Sequence, residues 1–179
     1  MYKRQLLEFE KFAFNEFRIS TYSKLRENNL FILLAVAQHH GLKTRLLDWT
    51  LSPLAALFFA VENESERNDG SLIGFQTGFI FNDFSNNTTS PFDQHLNEYH
   101  FVFSPDLSPR IKAQNGVFQL FKDPTKEFKQ GYNLMKFKIP AQHKSKIKAE
   151  LDSLGVTYQS LFPDFDGLCK SCLSLIHIC

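Results

Sequence analysis

Two nearly all-apolar runs flanking a short polar stretch constrain this chain more than any other feature. Leu30 to Gln38 reads Leu-Phe-Ile-Leu-Leu-Ala-Val-Ala-Gln, and Leu54 to about Glu62 is almost as apolar. A helix that is hydrophobic all round has no face to give to solvent, so both runs are expected as core helices, packed as a pair. Each carries boundary signals. Asn28 and Asn29 precede the first run and can cap its open amides, while Gly41 lies just past its end, where a left-handed residue closes a helix without a Cβ clash. Before the second run, Ser52-Pro53 places a capping hydroxyl ahead of a proline at the first helical position.

The pattern changes along the chain. Leu6, Phe9, Ala13 and Phe17 fall at helical spacing between Arg4 and Phe17, with Glu8, Lys11 and Glu16 available for the wet side. Thr44 to Trp49 reads as a short extended segment. Glu64 to Gly70 is polar loop, and the stretch from Asn82 to Pro91, rich in Asn, Thr and Ser, is loop as well. Ser71–Gln76, Tyr99–Phe103, Arg110–Ala113, Val117–Phe121 and Leu134–Ile139 read as strands, the last alternating Met135, Phe137 and Ile139 against Lys136 and Lys138. Ile147, Leu151 and Leu154 mark a closing helix that Gly155 can end, with Lys144, Lys146 and Lys148 on its solvated side. Helices first and strands later favour α+β over a repeating βαβ wind. The expected architecture is a single domain with N-terminal helices packed on a mixed or antiparallel sheet and a C-terminal helix.

A chain of 179 residues can bury one substantial core, and 20 phenylalanines make the apolar share of this one unusually aromatic. Net charge is +1, so the broad positive field of a dedicated nucleic-acid binder or polybasic membrane anchor is missing. No apolar run has the length of a membrane span and the first residues lack a signal-peptide core, so a soluble, cytoplasmic protein is expected. Cys169, Cys172 and Cys179 crowd the C-terminus and cannot brace a domain. Their Cys-x-x-Cys has no second ligand pair, and Asp164 and Asp166 lack calcium-loop spacing, so no metal is expected. Leu173 to Ile178 resembles the translation of a sequencing adapter, which sets residues 173–179 apart from a domain spanning 1–172. Motifs for nucleotide phosphates, hydrolase nucleophiles and zinc peptidases are missing.

The segment Ala37-Gln38-His39-His40-Gly41-Leu42-Lys43-Thr44-Arg45-Leu46-Leu47-Asp48-Trp49-Thr50, continuing through Pro53 to Ala55-Ala56-Leu57-Phe58-Phe59-Ala60, closely resembles the signature of the FRG domain family. Pro109 to Phe118 resembles a second block of that family and Leu161 to Leu168 a third, so the resemblance runs from about Leu30 to Leu168. The aromatic-Arg-Gly motif of the family's N-terminal strand has no counterpart before Gln38, since Arg18 precedes Ile19 and Arg26 precedes Glu27. The expectation is that this member lacks that strand or that the sequence is a fragment.

Gln38, His39, Thr44, Arg45, Asp48, Trp49 and Thr50 gather donors, acceptors and a charge pair between the two buried helices, where they could wall a pocket. Arg45 could clamp an anion in bidentate fashion beside the helix start at Ser52-Pro53. It could equally neutralise Asp48 inside the fold, with Trp49 in the core. Arg110 and Gln114 form a second polar cluster, whereas Asn115-Gly116 fits a turn needing positive φ. The expected function is binding of a small anionic or nucleotide-like ligand, with NAD a candidate cofactor. A Thr-bearing strand feeding a helix and a later Gln-x-Gly block loosely echo ADP-ribosyltransferases, which makes NAD-dependent transfer the enzymatic alternative. Docking of a protein partner through aromatic surface is the third.

Overall fold

The computed structural model describes residues 2–63, 67–76, 90–93, 100–102, 108–126, 134–165, 167–169 and 171. In chain order these form α1 (Tyr2–Leu25), α2 (Leu30–His39), β1 (Leu46–Thr50), α3 (Pro53–Val61), β2 (Gly70–Phe75), β3 (His100–Val102), α4 (Pro109–Ala113), β4 (Gly116–Leu120), β5 (Leu134–Ile139), a 3₁₀ turn (Ala141–His143), α5 (Lys144–Ser153) and α6 (Tyr158–Leu161). The class is α+β, as expected. Two compact units emerge: Met1–Trp49 with Phe79–Leu107 and Val117–Phe128, and Thr50–Gly78 with Ser108–Gly116 and Lys129–Cys179. Each is woven from three segments, so neither is a continuous stretch of chain. The tail 173–179 lies outside the described residues, as does most of the Asn82–Pro91 loop.

In the first unit, Asn29 caps α2 as its position requires, its side-chain oxygen accepting from the Phe31 and Ile32 amides at 3.0 and 3.3 Å. Phe31, Leu33, Leu34, Ala35 and Ala37 are buried, and Gly41 takes φ +92° just past the end. Helix α1 runs a full eight residues beyond Phe17, and its buried face is not the expected one. Glu10 and Phe14 point inward while Leu6 and Phe9 are exposed, because a buried partner for Glu10 rotates that side of the helix toward the core. The sheet runs β1-β4-β3, with β3 and β4 antiparallel and Val102 opposite Phe118. Val117 to Leu120 are all buried, so both faces of central strand β4 are covered.

The second unit centres on α3. Ser52 caps it by accepting from the Ala55 amide at 3.2 Å, Pro53 starts it, and Ala55, Phe58 and Val61 pack with Ile139, Leu151, Leu161 and Phe162. Core helix α3 thus buries in this unit and α2 in the first. Strands β2 and β5 form an antiparallel ribbon, Gly70 opposite Ile139 and Phe75 opposite Leu134. Gly70 is required because a Cβ there would overlap the Ala60 carbonyl oxygen. The ribbon is clipped at that end by Asp69, which pairs with Lys138 at 2.7 Å and accepts from the Ala141 amide at 2.9 Å. The Lys138 hydrogen bond holds the Asp69 carboxyl below its usual range and raises Lys138 in return.

Two further expectations are corrected here. Arg110–Ala113 is helix, not strand, because Ser108 accepts from the Ile111 amide at 3.2 Å and Pro109 fixes the first turn. Strand β5 spans Leu134–Ile139 as its alternation implied, and Met135 and Phe137 are each 54 % exposed, since a two-stranded ribbon covers its apolar side only where it meets the helices, at Ile139. Lys144 is not solvated but buried, its Nζ donating to the Asn63 carbonyl at 3.3 Å. Leu34 and Phe58, both enclosed, test the two cores. Leu34→Ala and Phe58→Ala are each expected to cost about 3 kcal/mol in chemical denaturation, as cavities do when the surroundings cannot collapse.

Candidate functional site

At the junction after α2, the signature's polar groups satisfy one another. The Thr44 hydroxyl donates to the Gln38 Oε1 and accepts from the Leu46 amide at 3.1 Å, while the Gln38 Nε2 donates to the Asp48 carboxylate at 2.8 Å. This short relay staples the last turn of α2 to the first residues of β1. Crowding by protein raises the Asp48 carboxyl above its usual range, and the Gln38 hydrogen bond opposes that in part. His39 is half-buried on the last turn of α2, its ring edge-on to His40 with centroids 5.2 Å apart. Trp49 donates its indole N–H to the Gln119 Oε1 at 2.9 Å. That bond fixes which way the Gln119 amide points, because the indole can only donate. The Gln119 Nε2 then lies buried with no acceptor.

Arg45 does not pair with Asp48. It is buried against Glu10 of α1, Nη2 at 2.8 Å from Oε2 and Nε at 3.1 Å from Oε1, and even its backbone amide donates to Oε1 at 2.7 Å. Nη1 donates to the carbonyls of Pro91 and Lys122, both at 3.3 Å, and the Phe92 ring lies 4.4 Å from the guanidinium carbon. Its fork is consumed inside the fold, which leaves no free edge for an anion. Reading the chain had missed Glu10. The available signal was an acid at the spacing of Phe14, Phe17 and Thr21, on a stripe that otherwise turns inward.

In the second unit the other predicted residues cluster around Leu161–Asp164. Thr50 donates to the Gln114 carbonyl at 2.6 Å and accepts from the Ser52 amide at 3.0 Å. Gln114 donates its Nε2 to the Leu161 carbonyl at 3.1 Å, and Asn115 turns the chain with φ +46°. Thr50 and Gln114 are therefore fasteners. Arg110 is placed differently. Its guanidinium lies 4.3 Å over the Phe162 ring, against which Tyr158 also stacks at 4.3 Å. Its Nε sits 3.5 Å from the Asp164 Oδ2, an ion-pair distance without a hydrogen bond, while Asp164 Oδ1 accepts from the Gly167 amide. Among the described residues its two terminal nitrogens have no partner. No metal-ligating cluster occurs among the described residues, and no described helix is long and apolar enough to cross a membrane.

A helix-led α+β chain whose signature residues knit one helix end to one strand is the class these features define. Residues 1–69 match the FRG domain family model, and that span takes in the segment from Ala37 to Ala60. The match begins at residue 1 and thus takes in α1, from which no motif had been read, and it ends before the blocks that hold Arg110 and Phe162. No curated protein and no solved structure matches the chain.

Two outcomes follow for the junction. Arg45→Ala strands the Glu10 carboxylate in the interior and is expected to cost about 3–5 kcal/mol, with Glu10→Ala similar and the double variant well short of their sum in denaturant titrations. Asp48 has the opposite sign. Because its folded-state carboxyl is raised, the folded state holds the proton more tightly than the unfolded chain, so stability falls as pH climbs through the carboxylate range. Asp48→Asn keeps an acceptor for Gln38 and removes the ionisation. It should leave the denaturation midpoint at neutral pH equal to or slightly above that of the parent, with the difference vanishing in acid.

Proposed function

We propose that this chain binds a small ligand carrying a carboxylate or phosphate together with a planar ring, a nucleotide-like molecule, and that Arg110 is its anion anchor. The observation that carries this reading is a guanidinium held in place by Phe162 and Asp164 with both terminal nitrogens unengaged among the described residues. A planar fork with two parallel donors matches carboxylate and phosphate oxygens in a way an ammonium does not. Aromatic surface lies beside it. Phe59 meets Phe162 edge-on at 5.9 Å and remains partly exposed, and Phe165, next to Asp164 in the chain, is almost wholly in solvent. Such rings can stack on a base or other flat group. Asp164 balances the site, so that a ligand must bring its charge to the outer edge of the guanidinium.

This reading moves the ligand from the Gln38–Thr50 junction, whose cation is spent on Glu10, to the second cluster. A thermal-shift screen of nucleotides, with NAD and inorganic phosphate among the probes, tests it. A bound nucleotide at about a hundredfold over its dissociation constant should stabilise the native state by about 2.7 kcal/mol. Arg110→Gln should remove that stabilisation while leaving the ligand-free denaturation midpoint nearly unchanged. If no anionic probe shifts the parent protein, or if Arg110→Gln responds as the parent does, the reading fails. Consumption of NAD in the same samples would turn the binding site into an active site.

A further inference from the structure

Within the first unit, a cavity of about 380 Å³ opens where α1 turns into α2. Helix α1 lines it with Arg18, Ile19 and Tyr22, α2 with Leu30 and Leu33, and the connecting loop with Glu27 and Asn28. That volume lies toward the small end of ligand sites, which run from about 300 to 1,000 Å³. The loop is held in one shape. It leaves α1 through Arg26 at φ +49°, a left-handed backbone uncommon for a residue with a side chain, and the Arg26 amide donates to the Tyr22 carbonyl at 3.1 Å. Glu27 Oε1 then accepts from the Asn28 and Asn29 amides, both at 2.7 Å. One carboxylate oxygen is thereby tied to the backbone, and among the described residues Oε2 has no partner. Arg18 donates Nη2 to the Asn15 Oδ1 at 2.9 Å, its one hydrogen bond among the described residues.

An acid and a base therefore line one cavity, and among the described residues no ion pair joins them. Unlike charges kept apart in this way are complementary to a molecule that carries both signs. The rest of the lining is largely apolar, with the buried Leu33 in it, so the same molecule must bring a hydrocarbon body. We propose that this cavity takes a small zwitterion with an apolar body, the chemistry of an apolar amino acid, with its carboxylate on Arg18, its ammonium on Glu27 and its hydrocarbon against Ile19, Leu30 and Leu33. The guanidinium fork matches a carboxylate in shape. A plain carboxylic acid of the same size would leave Glu27 against the ligand without a cation, and a plain amine would leave Arg18 without an anion; either way a charge is desolvated with nothing to compensate it. The site is separate from that of Arg110, since every residue lining it belongs to the first unit.

Amide NMR of the isotope-labelled full chain tests the proposal, with L-leucine and ε-aminocaproate as zwitterions whose charges lie at different separations, and isocaproate and isopentylamine as the single-charge controls. At least one zwitterion should give saturable shifts centred on the residues that line the cavity, and each control should bind about tenfold more weakly or worse, the loss expected of one hydrogen bond between charged groups. Arg18→Gln and Glu27→Gln should each weaken the zwitterion to the same degree, the second keeping an acceptor for the Asn28 and Asn29 amides. Ligand-free thermal midpoints are read alongside. If Glu27→Gln lowers its midpoint, Arg18→Gln, at an exposed position, carries the comparison alone. The proposal is overturned if neither zwitterion gives saturable shifts, if isocaproate binds as tightly as L-leucine and ε-aminocaproate do, or if Arg18→Gln binds as the parent does.

Discussion

The first unit rests on one buried ion pair. Arg45 and Glu10 are both nearly sealed from solvent, and removing two charges from water costs several kcal/mol per ion before any attraction is counted. That cost is offset only where the remaining donors and acceptors are matched, and here they are. The carboxylate takes three donors from one residue, and the far edge of the guanidinium reaches the Pro91 and Lys122 carbonyls beneath the Phe92 ring. Helix α1, the entry to β1, the Pro91 segment and the exit from β4 thus meet at one group. A unit assembled from three separate stretches of chain needs such a meeting point, because no local hydrogen-bonding pattern links them.

The same pair changes what the family signature means. Polar residues gathered between two apolar runs invite a reading as ligand chemistry, yet buried ion-pair networks produce the same composition. Gln38, Thr44 and Asp48 bridge the end of α2 to β1, and Trp49 docks on Gln119 across neighbouring strands. Each of these contacts defines where β1 leaves α2. The signature segment in residues 1–69 therefore encodes a fold junction first, and its residue order reflects which group must reach which neighbour.

Local features were legible in the sequence where their cause is local. Asn29, Ser52, Gly41 and Gly155 occupy the cap and closure positions read for them, and β5 spans the residues its alternation implied. What misled was anything decided by distant partners. The choice between strand and helix at Arg110–Ala113 was settled by a cap two residues before the segment, since four residues are too few for periodicity to separate the two. The buried face of α1 follows Glu10, whose partner is 35 positions away, and Lys144 turns inward to a carbonyl at Asn63. Of the candidate site, the residues were found but not their pairing. Arg45 with Asp48 is the natural guess from proximity in sequence, and the structure replaces it with two separate pairings.

Arg45 and Arg110 then show how one residue type divides between two roles. At Arg45 every edge of the guanidinium meets a fixed acceptor, so its charge is neutralised in the ground state and its loss would be felt as instability. At Arg110 stacking on Phe162 and the neighbouring Asp164 hold the plane of the group without consuming its terminal donors. A side chain ordered in advance loses less freedom when a ligand arrives than one that must be gathered from solvent. Partial exposure keeps it reachable, and the apolar ring beneath lowers the competition from water for the same donors. Among the described residues the difference lies in the acceptors each arginine meets, three groups around one and a single loosely placed carboxylate beside the other, and that is a property of the folded neighbourhood that the residue letter cannot carry.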